Sequence, residues 1–204
     1  MRGLVRVGAA VPSLALGNVK ENMKRHLAMM REAKEKHVSI VTFPELSLTG
    51  YTCGDLFFQR RLLDGVTDAL LALKDEMPEG ILAVVGAPLE IEGALYNCAV
   101  VLHKGEIISA VPKTFLPNNG EFYEKRWFQS GDARRDASVA IQKLKTDVCR
   151  QAIFETEDGV RFGIELCEDL WAPLPPSTML SVEGAEIILN LSASNELLSK
   201  REYR

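Results

Sequence analysis

The sequence predicts an α/β fold in which strands and helices alternate along the chain. Continuous apolar, β-branched runs such as 38–43 are typical of buried strands. The spacing of Met23, Leu27 and Met30 predicts a helix with one apolar face. No linker rich in Gly or Ser and no low-complexity tract interrupts the chain. We therefore expect residues 1–204 to belong to one domain.

The first two elements follow from local signals. A strand is predicted within residues 4–11, and Asn18 with Glu21 three residues later marks the start of the first helix as a capping box. Residues 112–138 show no sustained period and predict a long loop with one short helix. The other predicted strands are 38–43, 81–87 ending at Pro88, 97–102, 106–111, 151–155, 160–166 and 185–191, and the other predicted helices are 58–75 and 175–184.

Composition and cysteine spacing exclude several classes of function. The chain has 24 basic and 28 acidic residues and a net charge of −4, without the basic excess that nucleic-acid binding needs. Its apolar runs are far shorter than the roughly 18 residues of a membrane-spanning helix. Neither nucleic acid nor a membrane is a predicted partner. Cys53, Cys98, Cys149 and Cys167 form no zinc-binding pattern, so we predict no metal and interpret them as reduced thiols of a cytoplasmic protein.

Three polar residues directly follow apolar strands. Glu45, Lys113 and Cys167 come after the strands 38–43, 106–111 and 160–166, and ligands of open α/β sheets gather at the carboxyl ends of strands. A thiol with an ordinary pKa of about 8.5 needs a base or a cation to act as a nucleophile. Glu45 can be the base, and Lys113 can stabilise the thiolate and an oxyanion. The set predicts acyl transfer.

Each of these residues taken singly is weak evidence for catalysis. A single cysteine at a strand end is more often a small buried apolar residue, and a lone Glu or Lys is more often a solvated charge. His26, His37 and His103 do not follow sheet strands, so a Cys-His pair is not indicated. No serine-hydrolase elbow, phosphate-binding loop or dinucleotide fingerprint is present. The case for acyl transfer therefore depends on the three residues together.

The contexts of these residues resemble the nitrilase superfamily. The three segments that carry the resemblance are FPELSLTGY at 43–51, VPK at 111–113 and GIELCED at 163–169. Finer features resemble the glutamine-hydrolysing domain of glutamine-dependent NAD synthetases: GDLF at 54–57, LPNNGEFYEKRWF at 116–128 and CEDLW at 167–171. The resemblance runs from about residue 4 to the end, and it implies an α-β-β-α sandwich.

The resemblance also implies the roles of individual residues. Cys167 attacks the side-chain amide of glutamine, Glu45 transfers protons, and Lys113 with a backbone N–H holds the oxyanion. Glu121 matches a second glutamate that orients the amide and the base. Glu168 and Ser194 match positions that grip the amino-acid end of glutamine, and Asn119 and Phe122 match a loop lining the pocket. Glu168 and Asp169, as neighbouring carboxylates, are expected to raise the pKa of the thiol, and Lys113 is expected to offset them.

Glutamine-dependent NAD synthetases also contain an ATP-dependent synthetase domain, which amidates deamido-NAD with the released ammonia. Its Ser-Gly-Gly-x-Asp-Ser loop is absent from these 204 residues. We therefore expect no cofactor in this chain, with ATP and Mg confined to a synthetase domain beyond residue 204. A stand-alone amidase or carbamoylase acting on another small amide, or a catalytically idle fragment, remains an alternative.

The resemblance further implies that the family pattern continues with strands after the 192–194 region. The sequence given ends at Arg204, so we expect an incomplete nitrilase-like domain with its C-terminal strands missing and little activity by itself. Uncovered sheet edges favour self-association, so a homo-oligomer is expected.

Overall fold

The computed structural model describes residues 4–133, 137–141 and 144–203. Seven of its strands form a mixed sheet: β1 (Val7–Ala9), β2 (Ile40–Thr42), β3 (Leu82–Ile91), β4 (Ala94–His103), β5 (Glu106–Pro112), β6 (Ala137–Ile141) and β7 (Leu144–Val148). Their order across the sheet is β1-β2-β3-β4-β5-β7-β6. The pairs β1–β2, β2–β3 and β5–β7 are parallel, and the other neighbours are antiparallel.

A second, smaller sheet carries the predicted nucleophile. It consists of β8 (Ile153–Glu155), β9 (Arg161–Leu166) and β10 (Ile187–Leu191), in the order β10-β9-β8. The β9–β10 pair is parallel, and the β8–β9 pair is antiparallel, with Gly159 in the connection between the two strands. Cys167 is therefore delivered by a different sheet from the one that delivers Glu45 and Lys113.

The layers follow from the alternation of side chains along the strands. Val85 packs into a core with helices α1 (Val19–Glu35) and α2 (Arg60–Glu76), whereas its neighbour Val84 packs into a core with Ile164 of the small sheet. Helix α4 (Pro176–Val182) packs on β9. The order helix, sheet, sheet, helix confirms the predicted sandwich.

Glycine allows the close contact between α4 and β9. A Cβ at Gly163 would lie 2.8 Å from the Leu180 Cδ1 atom, which is closer than real Cβ atoms approach. Leu180 is fully buried at this crossing. The short helices α3 (Glu124–Trp127) and α5 (Lys200–Tyr203), and 3-10 segments at Tyr51–Phe58 and Cys167–Trp171, complete the part of the fold that shapes the candidate site.

Three sequence-based details differ from the structure. β3 runs through Pro88 to Ile91, because β2 pairs only with its first residues and a missing N–H donor is tolerated beyond that point. β6 and β7 were not predicted, although Leu144–Val148 alternates buried and exposed residues. Asn18 accepts the Glu21 N–H at 3.2 Å as predicted, but the Glu21 carboxylate pairs with Arg25 and does not complete a capping box.

Candidate active site

A tight turn after β2 places Glu45. Leu46 has a φ of 51°, and Glu45 is only 1% exposed. A Cβ at Gly86 of β3 would lie closer to the Pro44 carbonyl oxygen and the Leu46 nitrogen than real Cβ atoms come. The turn therefore rests directly on the backbone of β3, and only glycine leaves room for it.

Helix α1 supports the same turn from the other side. His26 Nε2 lies 2.8 Å from Ser47 Oγ, and the Asn22 side chain donates to the Leu48 carbonyl at 3.0 Å. His26 is fully buried, and burial lowers its pKa to about 4. The ring is therefore neutral near pH 7 and can hydrogen-bond Ser47 without a buried charge.

Lys113 joins two carboxylates in the interior. Its Nζ donates to Glu45 Oε1 and to Glu124 Oε1, each at 2.6 Å, and all three side chains are at most 1% exposed. Such a buried cluster needs further hydrogen bonds to offset the loss of water. Asn97 donates to Glu45 Oε1 at 2.7 Å, and the Tyr51 hydroxyl donates to Glu124 Oε1 at 2.7 Å.

The pKa values follow from burial and from this pairing. Burial alone lowers the pKa of Lys113, but the Glu45 and Glu124 carboxylates outweigh burial and hold the pKa above its usual value. Burial raises the pKa of Glu124, and Lys113 and Tyr51 act against that shift. Burial and then Glu124 raise the pKa of Tyr51. Lys113 thus stays charged, which an oxyanion partner requires.

Cys167 stands where β9 passes into the 3-10 helix Cys167–Trp171. Its φ of 46° is in the left-handed region, which is strained for a residue with a side chain. Burial first and then the Glu45 carboxylate raise the pKa of the half-buried thiol to about 11. Lys113 and hydrogen bonds with Ser192 and the Ala193 backbone act in the opposite direction. The thiol is therefore electrostatically coupled to both Glu45 and Lys113.

The segment after β10 closes the site. The Ala193 N–H donates to Glu45 Oε2 at 3.1 Å and also hydrogen-bonds the Cys167 thiol. A single backbone amide thus contacts both the carboxylate and the thiol. The rise in the thiol pKa was expected, but burial is its largest cause, and the carboxylate that adds to it is Glu45, not the expected Glu168 and Asp169.

The remaining predicted residues occupy the rim. Glu121 is exposed, and its carboxylate contacts the Asn195 side chain. Phe122 packs edge-on against Tyr51, with ring centroids 6.2 Å apart, and its N–H donates to the Asn119 carbonyl. Lys200 donates to Ser194 Oγ at 2.7 Å.

Glu168, in the 3-10 helix Cys167–Trp171, lies at a cavity. It is partly exposed and lines a cavity of about 410 Å³, whose walls also include Lys125 and Trp171. A carboxylate and an ammonium at one cavity are suited to a ligand that carries both charges.

The sequence analysis named Glu121 but not Glu124, which is the second glutamate, beside Glu45, that contacts Lys113. One signal was available: Gly120 marks a turn before Glu121, whereas Trp127 and Phe128 follow Glu124 and indicate a buried segment. Asn97 and Tyr51 were also not singled out as site residues. Their roles depend on contacts between segments that are distant in sequence, Asn97 with Glu45 and Tyr51 with Glu124.

This arrangement can form and break an acyl bond. It offers a nucleophilic thiol, a buried carboxylate that can carry a proton, and a permanently charged ammonium. Among the described residues, no group of three His, Cys, Asp or Glu side chains could hold a metal ion. The helices within the described ranges are too short or too polar to cross a bilayer.

The four-layer fold with a cysteine, a glutamate and a lysine at its strand ends defines a hydrolase of the nitrilase type. The profile of the family described as "Carbon-nitrogen hydrolase" matches residues 6–203, and the chain belongs to this family.

Curated relatives point to one branch of the family. The chain is 37% identical over 205 residues to a glutamine-dependent NAD(+) synthetase of Mycobacterium bovis, covering 99% of this chain and 30% of the relative. It is 34% identical to the enzyme of the same name from Arabidopsis thaliana, covering 91% and 27%. The chain therefore spans less than a third of the length of these relatives.

Solved structures agree on the fold. A glutamine-dependent NAD(+) synthetase from Cytophaga hutchinsonii superposes with a TM-score of 0.85 at 28% identity, over 98% of this chain and 32% of that one. An amidase from Nesterenkonia sp. superposes with a TM-score of 0.75 at 18% identity, over 97% and 68%, which supports the fold alone.

Proposed function

We propose that the chain hydrolyses the side-chain amide of glutamine to glutamate and ammonia through a thioester on Cys167. The observation that carries this proposal is the buried cluster of Glu45, Lys113 and Glu124, coupled to the Cys167 thiol. The names of the relatives support glutamine as the substrate.

In the first half of the reaction, Cys167 Sγ attacks the amide carbon. The raised pKa keeps the thiol protonated near pH 7, so Glu45 must take the proton during the attack. Lys113 and the backbone N–H after Cys167 stabilise the negative oxygen. The C–N bond then breaks, and Glu45 returns its proton to the leaving nitrogen, which departs as ammonia.

Water completes the cycle. Glu45 takes a proton from a water molecule while the water oxygen attacks the thioester carbon. The C–S bond then breaks, and Glu45 gives the proton back to the sulfur of Cys167. Glutamate is released. The hydrogen bonds from Asn97 and Ala193 to separate Glu45 oxygens support this role, because they orient the carboxylate without removing its ability to carry a proton.

Rim residues are proposed to recognise the rest of the substrate. Glu168 and Ser194 would bind the amino-acid end of glutamine, and Asn119 and Phe122 would line the pocket. The contact of Glu124 with Lys113 supports a role in holding the lysine in place. Glu121 remains a candidate for orienting the amide from the rim.

The ammonia is proposed to serve a synthetase domain that amidates deamido-NAD with ATP and Mg, whereas glutamine hydrolysis by this chain needs no cofactor. The chain is also proposed to be cytoplasmic and to self-associate. Exposed apolar side chains between residues 170 and 182 support self-association: Leu170, Trp171, Leu174, Met179 and Val182.

The test compares cysteine variants. Ammonia release from glutamine is expected to disappear in Cys167→Ala and to persist in Cys149→Ala, a matched change at the other half-buried thiol. Faster release from another small amide would favour an amidase or carbamoylase. Turnover in Cys167→Ala would contradict the proposal, and a chain inert towards every amide and towards thiol-directed glutamine analogues would be an idle fragment.

A further inference from the structure

Asp169 is a buried carboxylate that joins the two halves of the site. It is 1% exposed and lies two residues after Cys167. Its Oδ1 accepts the N–H groups of Thr114 at 3.1 Å and Phe115 at 2.7 Å, and its Oδ2 accepts the N–H of Leu166 at 3.0 Å. The three amides belong to the residues directly after Lys113 and directly before Cys167.

The chemistry of this contact requires a carboxylate. Three N–H donors converge on two oxygens, and an ionised carboxylate has acceptor sites only. Burial raises the pKa of Asp169 to about 7. The hydrogen bonds from the three backbone N–H groups and the positive charge of Lys113 act against that shift. An asparagine would direct an NH₂ group at one of the amide donors and leave that donor without an acceptor.

The geometry of Cys167 gives the contact a consequence. Its left-handed φ of 46° persists only if the surrounding structure holds it. The Asp169 side chain accepts the N–H of Leu166, the residue directly before Cys167. This hydrogen bond closes a ring of residues 166–169 that contains the nucleophile. The same carboxylate fixes the segment that begins at Lys113, although the lysine and the cysteine belong to different sheets.

We propose that Asp169 is a positioning residue that sets the place of the Cys167 thiol relative to Lys113 and Glu45. The inference rests on the proposed thiol chemistry but not on glutamine being the substrate. A placement error of about 1 Å between reacting groups can cost about a hundredfold in rate, so a side chain that touches no substrate can control turnover.

Glu165, on strand β9 just before the 3-10 helix that carries Asp169, offers a matched control. It is also 1% exposed, and it accepts the Ser177 N–H at 3.0 Å and the Asn190 side-chain amide at 3.2 Å. Its partners tie β9 to α4 and β10, and none of them adjoins Lys113. Glu165→Gln and Asp169→Asn therefore replace a buried carboxyl group by an amide at two sites with different neighbours.

The experiment measures kinetics, thiol reactivity and stability in both variants. The first is kcat and KM for glutamine. The second is the pH dependence of Cys167 alkylation by iodoacetamide, resolved by peptide mass spectrometry, with urea unfolding as a record of stability. We expect Asp169→Asn to lower kcat about a hundredfold with KM little changed.

The alkylation profile separates positioning from stability. Since burial is the largest cause of the raised thiol pKa, release of the turn is expected to move the midpoint from about 11 towards the ordinary thiol value. Glu165→Gln is expected to leave the midpoint unchanged at a similar loss of stability. Equal profiles for wild type and Asp169→Asn, or equal shifts in both variants, would overturn the proposal.

A second variant keeps the test decisive if Asp169→Asn does not fold. Asp169→Glu retains the charge with one more methylene, and we expect it to fold with an intermediate midpoint and reduced kcat. Native values for Asp169→Glu would overturn the proposal. If the alkylation shift occurs in a protein that does not hydrolyse glutamine, the proposed substrate is wrong and the positioning role stands.

Discussion

At the scale of single residues, Glu45 has two opposed effects on Cys167. Its charge raises the pKa of the thiol, yet the proposed reaction needs it to remove the thiol proton. The resting site therefore holds a neutral thiol beside a carboxylate. This differs from a cysteine site that stores a preformed thiolate next to a cation.

These effects separate in Glu45→Gln. We expect glutamine turnover to fall by about a hundredfold or more, because the base is lost. Alkylation of Cys167 by iodoacetamide should instead shift to lower pH, because the negative charge that raises the thiol pKa is gone. Site-resolved alkylation from pH 6 to 11 checks this. An unchanged or higher midpoint would contradict the coupling between the two residues.

Glu168 gives a prediction about substrate binding. If Glu168 binds the ammonium group of glutamine, Glu168→Gln should raise KM about tenfold or more with a smaller effect on kcat, since it loses an ionic contact present throughout the reaction. Steady-state ammonia release measures both constants. Glu165→Gln serves as the control, and a fall in kcat alone would contradict the binding role.

Residue patterns predicted part of this site for a physical reason. Glu45, Lys113 and Cys167 each follow an apolar strand within about two residues, and the buried strand fixes where such a side chain begins. Glu124 follows a loop without a period, so its contact with Lys113 is decided by tertiary packing. The same holds for Asn97, whose partner Glu45 is far away in sequence.

At the scale of elements, the turn after β2 depends on contact with β3. Gly86→Ala should destabilise the protein by about 1–3 kcal/mol, because the added methyl collides with backbone atoms of the Glu45 turn. Turnover should fall by more than the loss of folded protein explains, because the same collision displaces Glu45. Gly65→Ala in α2 is the control: its Cβ would meet Val19 at 3.8 Å, and a helical alanine is neutral or stabilising. Urea unfolding and glutamine turnover measure both variants. Equal free energies of unfolding and equal turnover in Gly86→Ala and Gly65→Ala would contradict the dependence of the turn on β3.

Helix α1 contributes a pH dependence through His26. The native pKa of about 4 lies below the unfolded value of about 6.5, so the unfolded chain binds more protons between these values. Stability due to His26 is therefore present above pH 6.5 and is lost as pH falls towards 4. Between pH 7 and 5 this loss amounts to about 2 kcal/mol.

Urea unfolding at both pH values tests the role of His26. His26→Gln should reduce the loss of unfolding free energy by that amount, because glutamine does not titrate. The carboxyl groups of the chain titrate alike in both proteins, so their contribution to the change in unfolding free energy cancels in the comparison. Equal losses in wild type and variant would show that His26 is not buried in its neutral form.

Elements were predictable where a local signal sets them. The Asn18 cap and the apolar face of α1 predicted that helix, and the apolar runs 97–102 and 106–111 predicted strands β4 and β5. The end of β3 was not predictable from a local signal. Pro88 is acceptable within β3 because β2 no longer pairs with that part of the strand. Which strands share a sheet, and therefore that the thiol and the lysine come from different sheets, depends on pairings that no local window contains.

At the scale of the whole molecule, the surface around α4 is expected to mediate self-association. Val182 is 76% exposed within an apolar stretch, whereas Val11, at 73%, lies on the segment after β1. Val182→Glu should lower the apparent mass in sedimentation experiments, and Val11→Glu should not. A wild-type chain that sediments at 22.6 kDa at all concentrations would contradict the proposed homo-oligomer.

The fold brings a thiol from the small sheet to a carboxylate and a lysine from the large sheet. If Cys167 is the nucleophile, this thiol alone reacts with a glutamine-like electrophile. The most direct measurement is peptide mass spectrometry after incubation with 6-diazo-5-oxo-L-norleucine, a diazoketone analogue of glutamine, with excess glutamine as competitor. We predict one adduct, on Cys167, suppressed by glutamine and absent in Cys167→Ala. Labelling of Cys53, Cys98 or Cys149 at a comparable rate, or no adduct on Cys167, would contradict the assignment of Cys167 as the nucleophile.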